Sequence, residues 1–395
     1  MGYGQGLITH EAMMTPAARL SASIEILDRW LAGVPAEKAL VNWARASRFA
    51  GSGDRNAVRD LVFDAIRCRR SFAALGGSET GRGLILGGLR ARGEDPVGMF
   101  TGEGHAPAPV AEDETGHTPE GGAALDCPEW LAAQLESSLG GDFAPVMEAL
   151  RHRAPVFLRA VGNVEAVRKA LAAEGIMTEP HPLAAKALEV KEGARKILQS
   201  KAYASGKVEL QDAASQAVVE LLPLADNDRV LDFCAGGGGK TLAMATRARL
   251  KLVAHDSVPR RMADFRVRAE RAGVRVGYLD TAAALSETYD LVLVDAPCSG
   301  SGSWRRSPEG KWALTPERLN ELTGIQDAIL KQVRGAVQPG GYLAYATCSL
   351  LDVENKDRIE AFLSGNPDWK VVSTRTLTPL DGGDGFFVSL LQRQA

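Results

Sequence analysis

Two cysteines carry most of the chemistry available to this chain. Cys298 lies in Pro297-Cys298-Ser299-Gly300-Ser301-Gly302, and Cys348 lies in Thr347-Cys348-Ser349. Each follows an apolar run that reads as a buried parallel strand, Tyr289 to Ala296 and Tyr342 to Ala346. Both loops therefore fall at the carboxyl edge of one sheet, where open α/β folds bind and react. Asp295 stands just before the first cysteine loop. A thiol ionises near neutrality and lends itself to covalent catalysis, in which one difficult step becomes several easier ones. Two thiols and a carboxylate on one edge point to covalent work on a poorly nucleophilic carbon. A cysteine after a core strand is ordinarily a small buried hydrophobe, but the Ser-Gly-Ser-Gly after Cys298 is too polar for pure core. Cys234, in a third loop, reads as a packing or backbone contributor, and Cys68 and Cys127 read as structural.

That third loop is a glycine-rich turn, Leu231-Asp232-Phe233-Cys234-Ala235-Gly236-Gly237-Gly238-Gly239-Lys240-Thr241. Glycines let the backbone approach a ligand and tolerate positive φ, and a following helix start offers free N–H groups. A Walker A loop fails because Cys234 stands where its first glycine belongs. A dinucleotide fingerprint fails at its third glycine, where Thr241 stands. S-adenosylmethionine has no pyrophosphate and needs neither pattern. Asp256, at the end of the second strand, is placed to accept hydrogen bonds from ribose hydroxyls. Asp280, at the end of the third, is placed to meet an adenine amino group, and each aspartate taken alone is equally a strand-end cap.

The elements that position these loops alternate regularly from Asp228 onward. Strands are predicted at Val230–Phe233, Leu252–Asp256, Val274–Leu279, Leu291–Asp295 and Tyr342–Thr347, with helices including Pro259–Ala272 and Pro316–Val337 between them. This alternation implies βαβ units and a parallel sheet. Trp369–Ser373 and Phe386–Leu391 then form a final antiparallel pair. The expected fold is a mostly parallel Rossmann-like α/β sheet spanning 216–395, preceded by a helical connector and small α+β module at 128–215. Helical spacing of Leu20, Ile24, Leu27 and Leu31, and of Val58, Leu61, Val62, Ala65 and Ile66, predicts an all-helical domain over 1–76. Residues 77–127, rich in Gly, Pro, Ala and acidic residues, read as a flexible linker.

The 395 residues, 45% hydrophobic and 24% charged, have an ordinary globular balance. A net charge of −3 gives no general pull toward nucleic acid, so RNA contacts would need local patches. The candidates are Arg67, Arg69 and Arg70; Arg151 and Arg153; Arg260 and Arg261; and Arg305, Arg306 and Lys311. Five scattered cysteines show neither metal-ligand spacing nor a disulfide framework, which favours a reducing cytoplasm and no metal. No charged-then-apolar leader and no membrane-spanning run is evident, so no membrane partner is expected.

The ordered motifs resemble the RsmB/Sun (Nol1/Nop2/Sun) family of RNA 5-methylcytosine methyltransferases. Cys234 to Thr241 resembles the family's Cys-Ala-Ala-Pro-Gly-Gly-Lys-Thr, and Asp295 to Gly302 matches its Asp-Ala-Pro-Cys-Ser-Gly-Ser-Gly. Arg305 to Trp312, Thr347-Cys348-Ser349 and Gly385-Phe386-Phe387 continue the likeness, which covers about Arg151 to Arg393. Gly53 to Val62 is similar to a helix of the NusB-like RNA-binding domain of bacterial members. Gly236 and Gly237 depart from the family's Ala-Pro, which implies a more flexible turn.

The resemblance implies a class I methyltransferase sheet, a small RNA-binding module and S-adenosylmethionine as cofactor, held by Cys234, Ala235, Gly236, Gly237, Gly238, Gly239, Lys240, Asp256, Asp280 and Asp295. It implies Cys348 as nucleophile, Cys298 as the thiol that assists product release, and Asp295 as the group that meets the ring edge of the base. Spacing alone does not divide the two cysteines, since DNA cytosine methyltransferases use a Pro-Cys cysteine as nucleophile. The implied substrate is RNA, ribosomal RNA before transfer RNA. Methylation of an exocyclic amine is disfavoured by Asp295-Ala296-Pro297-Cys298. A non-catalytic RNA-binding assembly factor is the alternative of another class, disfavoured by retention of both cysteines and Asp295.

Overall fold

The structure is a computed structural model that describes residues 14–395; the expectation about a leader lies outside them. The chain divides into two compact units. The first comprises the residues up to Ala132 with Leu150–Arg153 and Ser307–Trp312, and the second comprises Ala133–Ala149, Ala154–Arg306 and Ala313–Ala395.

The first unit is helical. Helices Pro16–Leu31, Ala36–Ala46, Ser52–Arg67, Arg69–Gly76 and Gly81–Ala91 surround a core that includes Leu20, Leu27, Trp43, Val58, Val62 and Ile66. Thr15 stops the first helix from fraying, its Oγ1 accepting from Ala18 N at 3.1 Å.

The expected flexible linker at 77–127 is corrected here. Helix Gly81–Ala91 places Leu84, Leu86 and Leu89 in the same core, and Phe100 joins them. Its glycines serve close approach, since a Cβ at Gly87 would overlap the Phe72 carbonyl. The acidic run is pinned as well. Arg82 Nε donates to Glu114 at 2.6 Å, and that hydrogen bond draws the Glu114 carboxyl down to about 2. Asp126, fully buried, accepts from Ser71 N at 2.9 Å and Arg151 Nε at 2.9 Å. Glycine and acid content reads as flexibility only while the packing partners are unknown.

The second unit holds two sheets. Strands β1 (Val156–Ala160), β2 (Met177–Pro180), β3 (Ala187–Glu192) and β4 (Val208–Leu210) form an antiparallel sheet in the order β2-β3-β1-β4, with helix Val164–Ala173 packed through Val167 and Leu171.

The large sheet takes β5 (Arg229–Asp232), β6 (Lys251–Ala254), β7 (Val276–Tyr278), β8 (Tyr289–Asp295), β9 (Val337–Thr347), β10 (Trp369–Leu377) and β11 (Phe386–Arg393). Their order is β10-β11-β9-β8-β5-β6-β7, with only β11 reversed. This is the mostly parallel Rossmann-like sheet expected, with its antiparallel terminal strand. The central strands are covered on both faces, so they read as continuous apolar runs. Leu291, Val292, Leu293 and Val294 are each fully buried.

Candidate active site at the carboxyl edge of the large sheet

β8 and β9 pair in parallel with Asp295 opposite Ala346, so their following loops leave the sheet side by side. The loops are then laced together. Ala296 N donates to Ala346 O at 2.8 Å, Gly302 N to Cys348 O at 2.9 Å, and Leu350 N to Ser301 Oγ at 2.8 Å. Gly302 must lack a side chain, because a Cβ there would overlap the backbone of Gly385. The result places Cys298 Sγ and Cys348 Sγ 3.5 Å apart.

The pair is electrostatically unequal. The hydrogen bond from the Cys298 thiol lowers the Cys348 pKa below the usual thiol value, against burial and Asp295 and with help from the Lys240 ammonium. The same contact, then burial, holds Cys298 well above its usual value. Cys348 is thus the sulfur favoured as thiolate, and Cys298 is its proton-bearing neighbour.

Lys240 reaches this pair from the short helix Gly239–Met244. Its Nζ donates to Asp295 Oδ2 at 2.6 Å and lies 4.7 Å from the centre of the Phe386 ring. Burial opposes its charge, but Asp295, together with Cys348 and Asp232, holds the ammonium pKa above its usual value. A depression of about 340 Å³ opens on Cys348, walled by Phe157, Gln211, Ser303, Arg306 and Phe386 among others. Its size and mixed lining suit a planar polar ring.

The glycine turn lies on the same edge, after β5. Gly238 N donates to Ala235 O at 2.8 Å, and Gly236 N donates to Asp256 Oδ2 at 3.0 Å. Gly238 has φ of 76°, and a Cβ there would overlap the Phe265 ring. Gly236 has φ of 50°, in the left-handed region that favours glycine, and a Cβ there would meet Asp256 Oδ2 only at 4.0 Å. A buried carboxylate beside an open backbone turn is a donor set that fits a nucleoside-bearing cofactor.

Asp280 is exposed, and its Oδ1 accepts from Ala283 N at 2.9 Å as the cap of helix Thr281–Leu285. Cys234 packs against the core, and burial pushes its thiol well up. Asp232, beneath the turn, accepts from Thr241 Oγ1 at 2.6 Å, and burial lifts its carboxyl to about 7.

Of the basic residues proposed from sequence, Arg67, Arg305 and Lys311 are buried, Arg69, Arg70 and Arg151 are partly buried, and Arg153 and Arg306 are exposed. Arg305 Nε donates to Asp384 at 3.1 Å, and Arg306 donates to Asp384 at 2.6 Å and Asp212 at 2.5 Å. Lys311 is buried in the first unit, where its Nζ donates to Arg67 O at 2.8 Å. Arg260 and Arg261 remain exposed.

Glu354 escaped the sequence reading. It is fully buried, and its carboxylate accepts from Ser299 N at 2.8 Å, Ser299 Oγ at 2.5 Å, Ser349 Oγ at 2.5 Å and Gln326 Nε2 at 3.0 Å. One anion thereby ties the residue after each cysteine to the other. A lone glutamate past a polar loop carries no pattern that marks it as buried. Glu354→Ala leaves several buried donors unpaired and is expected to cost about 3 kcal/mol or more. Glu354→Gln keeps one acceptor and should cost less; thermal melting of the two variants checks the order.

Residues 219–392 match the family described as 16S rRNA methyltransferase RsmB/F. The ribosomal RNA small subunit methyltransferase B of Klebsiella pneumoniae subsp. pneumoniae is 32% identical over 284 residues, 67% of this chain and 65% of that protein. The Erwinia tasmaniensis protein of the same name is 33% identical over 286 residues, 68% of this chain and 66% of its own length. The chain thus spans just under two thirds of these relatives. Among solved structures, PH0851 superposes with a TM-score of 0.76 at 23% identity, over 96% of this chain and 99% of that one. NSun6 from Pyrococcus horikoshii gives 0.60 at 16% identity, over 68% and 98%. At such identities these two structures speak to the fold.

Proposed function

Because the chain belongs to the Sun/RsmB family of RNA methyltransferases, we propose that it methylates carbon 5 of a cytosine in ribosomal RNA through a transient bond to Cys348. The observation that carries this reading is the Cys298–Cys348 pair, 3.5 Å apart beside the Lys240–Asp295 ion pair. S-adenosylmethionine, when bound, supplies an electrophilic methyl group.

The turn from Cys234 to Lys240, with Asp256 and Asp280, would hold that cofactor. The remaining work belongs to the chain. The Cys348 thiolate adds to carbon 6, the ring's conjugation breaks, and carbon 5 gains enamine character. Asp295 meets the polar edge of the ring as charge develops there, in an orientation fixed by Lys240. Once Cys348 is bonded to carbon 6, its charge and hydrogen bond no longer hold the Cys298 proton. Cys298 gives that proton to solvent and, as thiolate, takes the carbon-5 proton after transfer. The carbon 5–carbon 6 double bond re-forms, and the bond from carbon 6 to Cys348 sulfur breaks with the electron pair on that sulfur. The small antiparallel module and the helical unit are assigned to RNA binding. The target base must be unpaired or flipped to reach the depression at Cys348.

The test uses the purified chain, methyl-labelled S-adenosylmethionine and unmodified 16S ribosomal RNA, followed by digestion to nucleosides. Label in 5-methylcytidine is expected. Label in another nucleoside would sink the carbon-5 reading, and label only with transfer RNA would replace the substrate.

A further inference from the structure

The small antiparallel sheet reaches into the glycine turn. Glu209 of β4 is 1% exposed, and its Oε2 lies 3.0 Å from Arg268 Nη2 and 3.2 Å from Arg268 Nε. Arg271 pairs with the other oxygen of the same carboxylate. Arg268 Nη1, so anchored, donates to Gly237 O at 2.5 Å. Two residues along from Glu209, Gln211 Nε2 donates to Gly239 O at 3.2 Å, while its Oε1 accepts from the buried Arg159 Nε at 2.7 Å. Gln211 directly follows β4, so Glu209, acting through Arg268, and Gln211 itself hold two alternate carbonyls of the turn.

We infer that Arg268, held by Glu209, is a positioning residue that stiffens the Gly236–Gly239 turn for S-adenosylmethionine by taking the space and the role of a side chain at position 237. A Cβ at Gly237 would meet Arg268 Nη1 at 3.0 Å, so the guanidinium fills what any larger residue would claim. A run of four glycines otherwise has more backbone freedom to lose than any other sequence of that length. Freedom lost on binding lowers affinity, and a turn ordered beforehand escapes that loss. Arginine suits the post because its planar fork serves a carboxylate and a carbonyl together. The inference rests on the cofactor reading of the turn.

The experiment is a double-mutant cycle of Arg268→Ala and Gly237→Pro, with binding of S-adenosylhomocysteine measured by calorimetry. Arg268→Ala frees the carbonyl and is expected to weaken binding about tenfold. Gly237→Pro alone sets a ring against the guanidinium and also weakens it. The double variant exchanges a hydrogen-bonded stiffener for a covalent one, so it should recover most of the affinity. In turnover, the KM for the cofactor rises in Arg268→Ala while kcat at saturation stays within about twofold. Wild-type affinity in Arg268→Ala, or losses that simply add, would overturn the inference. Should Arg268→Ala fail to fold, Arg268→Lys keeps a cation beside Glu209 but lacks the fork; unchanged affinity there would overturn it equally. A wild-type chain that binds no S-adenosylhomocysteine sinks the cofactor reading itself.

Discussion

Cys348→Ala is expected to reduce methyl transfer to RNA by on the order of 10⁴-fold or more, while Cys298→Ala should trap RNA on the protein. The two outcomes differ because the two sulfurs differ. The shared hydrogen bond lowers the pKa of Cys348 and raises that of Cys298. The first is the more readily ionised of the two. Without it, carbon 5 of cytosine lacks the electrons to take a methyl group, and neither the cofactor turn nor Asp295 supplies them.

Cys298→Ala leaves Cys348 in place, so addition to the ring still occurs. What is lost is the sulfur 3.5 Å away, which the proposed reaction uses to take the carbon-5 proton. The bond to Cys348 then persists, and a complex that survives denaturing electrophoresis should accumulate with labelled RNA. The thiol donor to Cys348 is gone as well, so addition itself slows, but elimination slows more. An adduct that forms in Cys348→Ala, or none in Cys298→Ala with normal turnover, would exchange the roles or discard them.

How much of this was legible in the sequence depends on the kind of signal. The order of strands was legible because a buried parallel strand must be apolar throughout, as Leu291 to Val294 are. The meeting of the two cysteines was legible because each follows a strand of one sheet. The core helix Gly81–Ala91 was not, because its glycines are spaced for contact with Phe72 and Ser78, which no local pattern announces. The arginines at 305 and 306 looked like an RNA patch, since charge is visible in sequence, whereas the burial of Arg305 and the pairing of both with Asp384, and of Arg306 with Asp212, are not. Glu354 was missed for the same reason. Its partners Ser299 and Gln326 lie far away in the chain, and a long-range polar contact leaves no period to read.

Lys240→Met is expected to move the pH dependence of methyl transfer upward and to lower the rate at neutral pH by about tenfold. The sign follows from the neighbours of Cys348. The Cys298 hydrogen bond lowers its pKa, burial and Asp295 raise it, and Lys240 lowers it. Methionine keeps the length of the buried side chain but deletes the cation. Asp295 then loses the ammonium now 2.6 Å away, and its charge acts on Cys348 unopposed. Both changes push the thiol the same way. The reacting form is the thiolate, so the rate rises with pH and levels off once the pKa is passed. In Lys240→Met that plateau should be reached at higher pH than in the wild type. Single-turnover rates across the pH scale, at saturating cofactor, separate this electrostatic effect from a simple loss of orientation at Asp295. An electrostatic deficit shrinks as the buffer becomes alkaline, whereas a deficit from misplaced Asp295 stays constant at every pH. A constant deficit would remove Lys240 from the ionisation of Cys348 and leave it only as the fixture that aims Asp295.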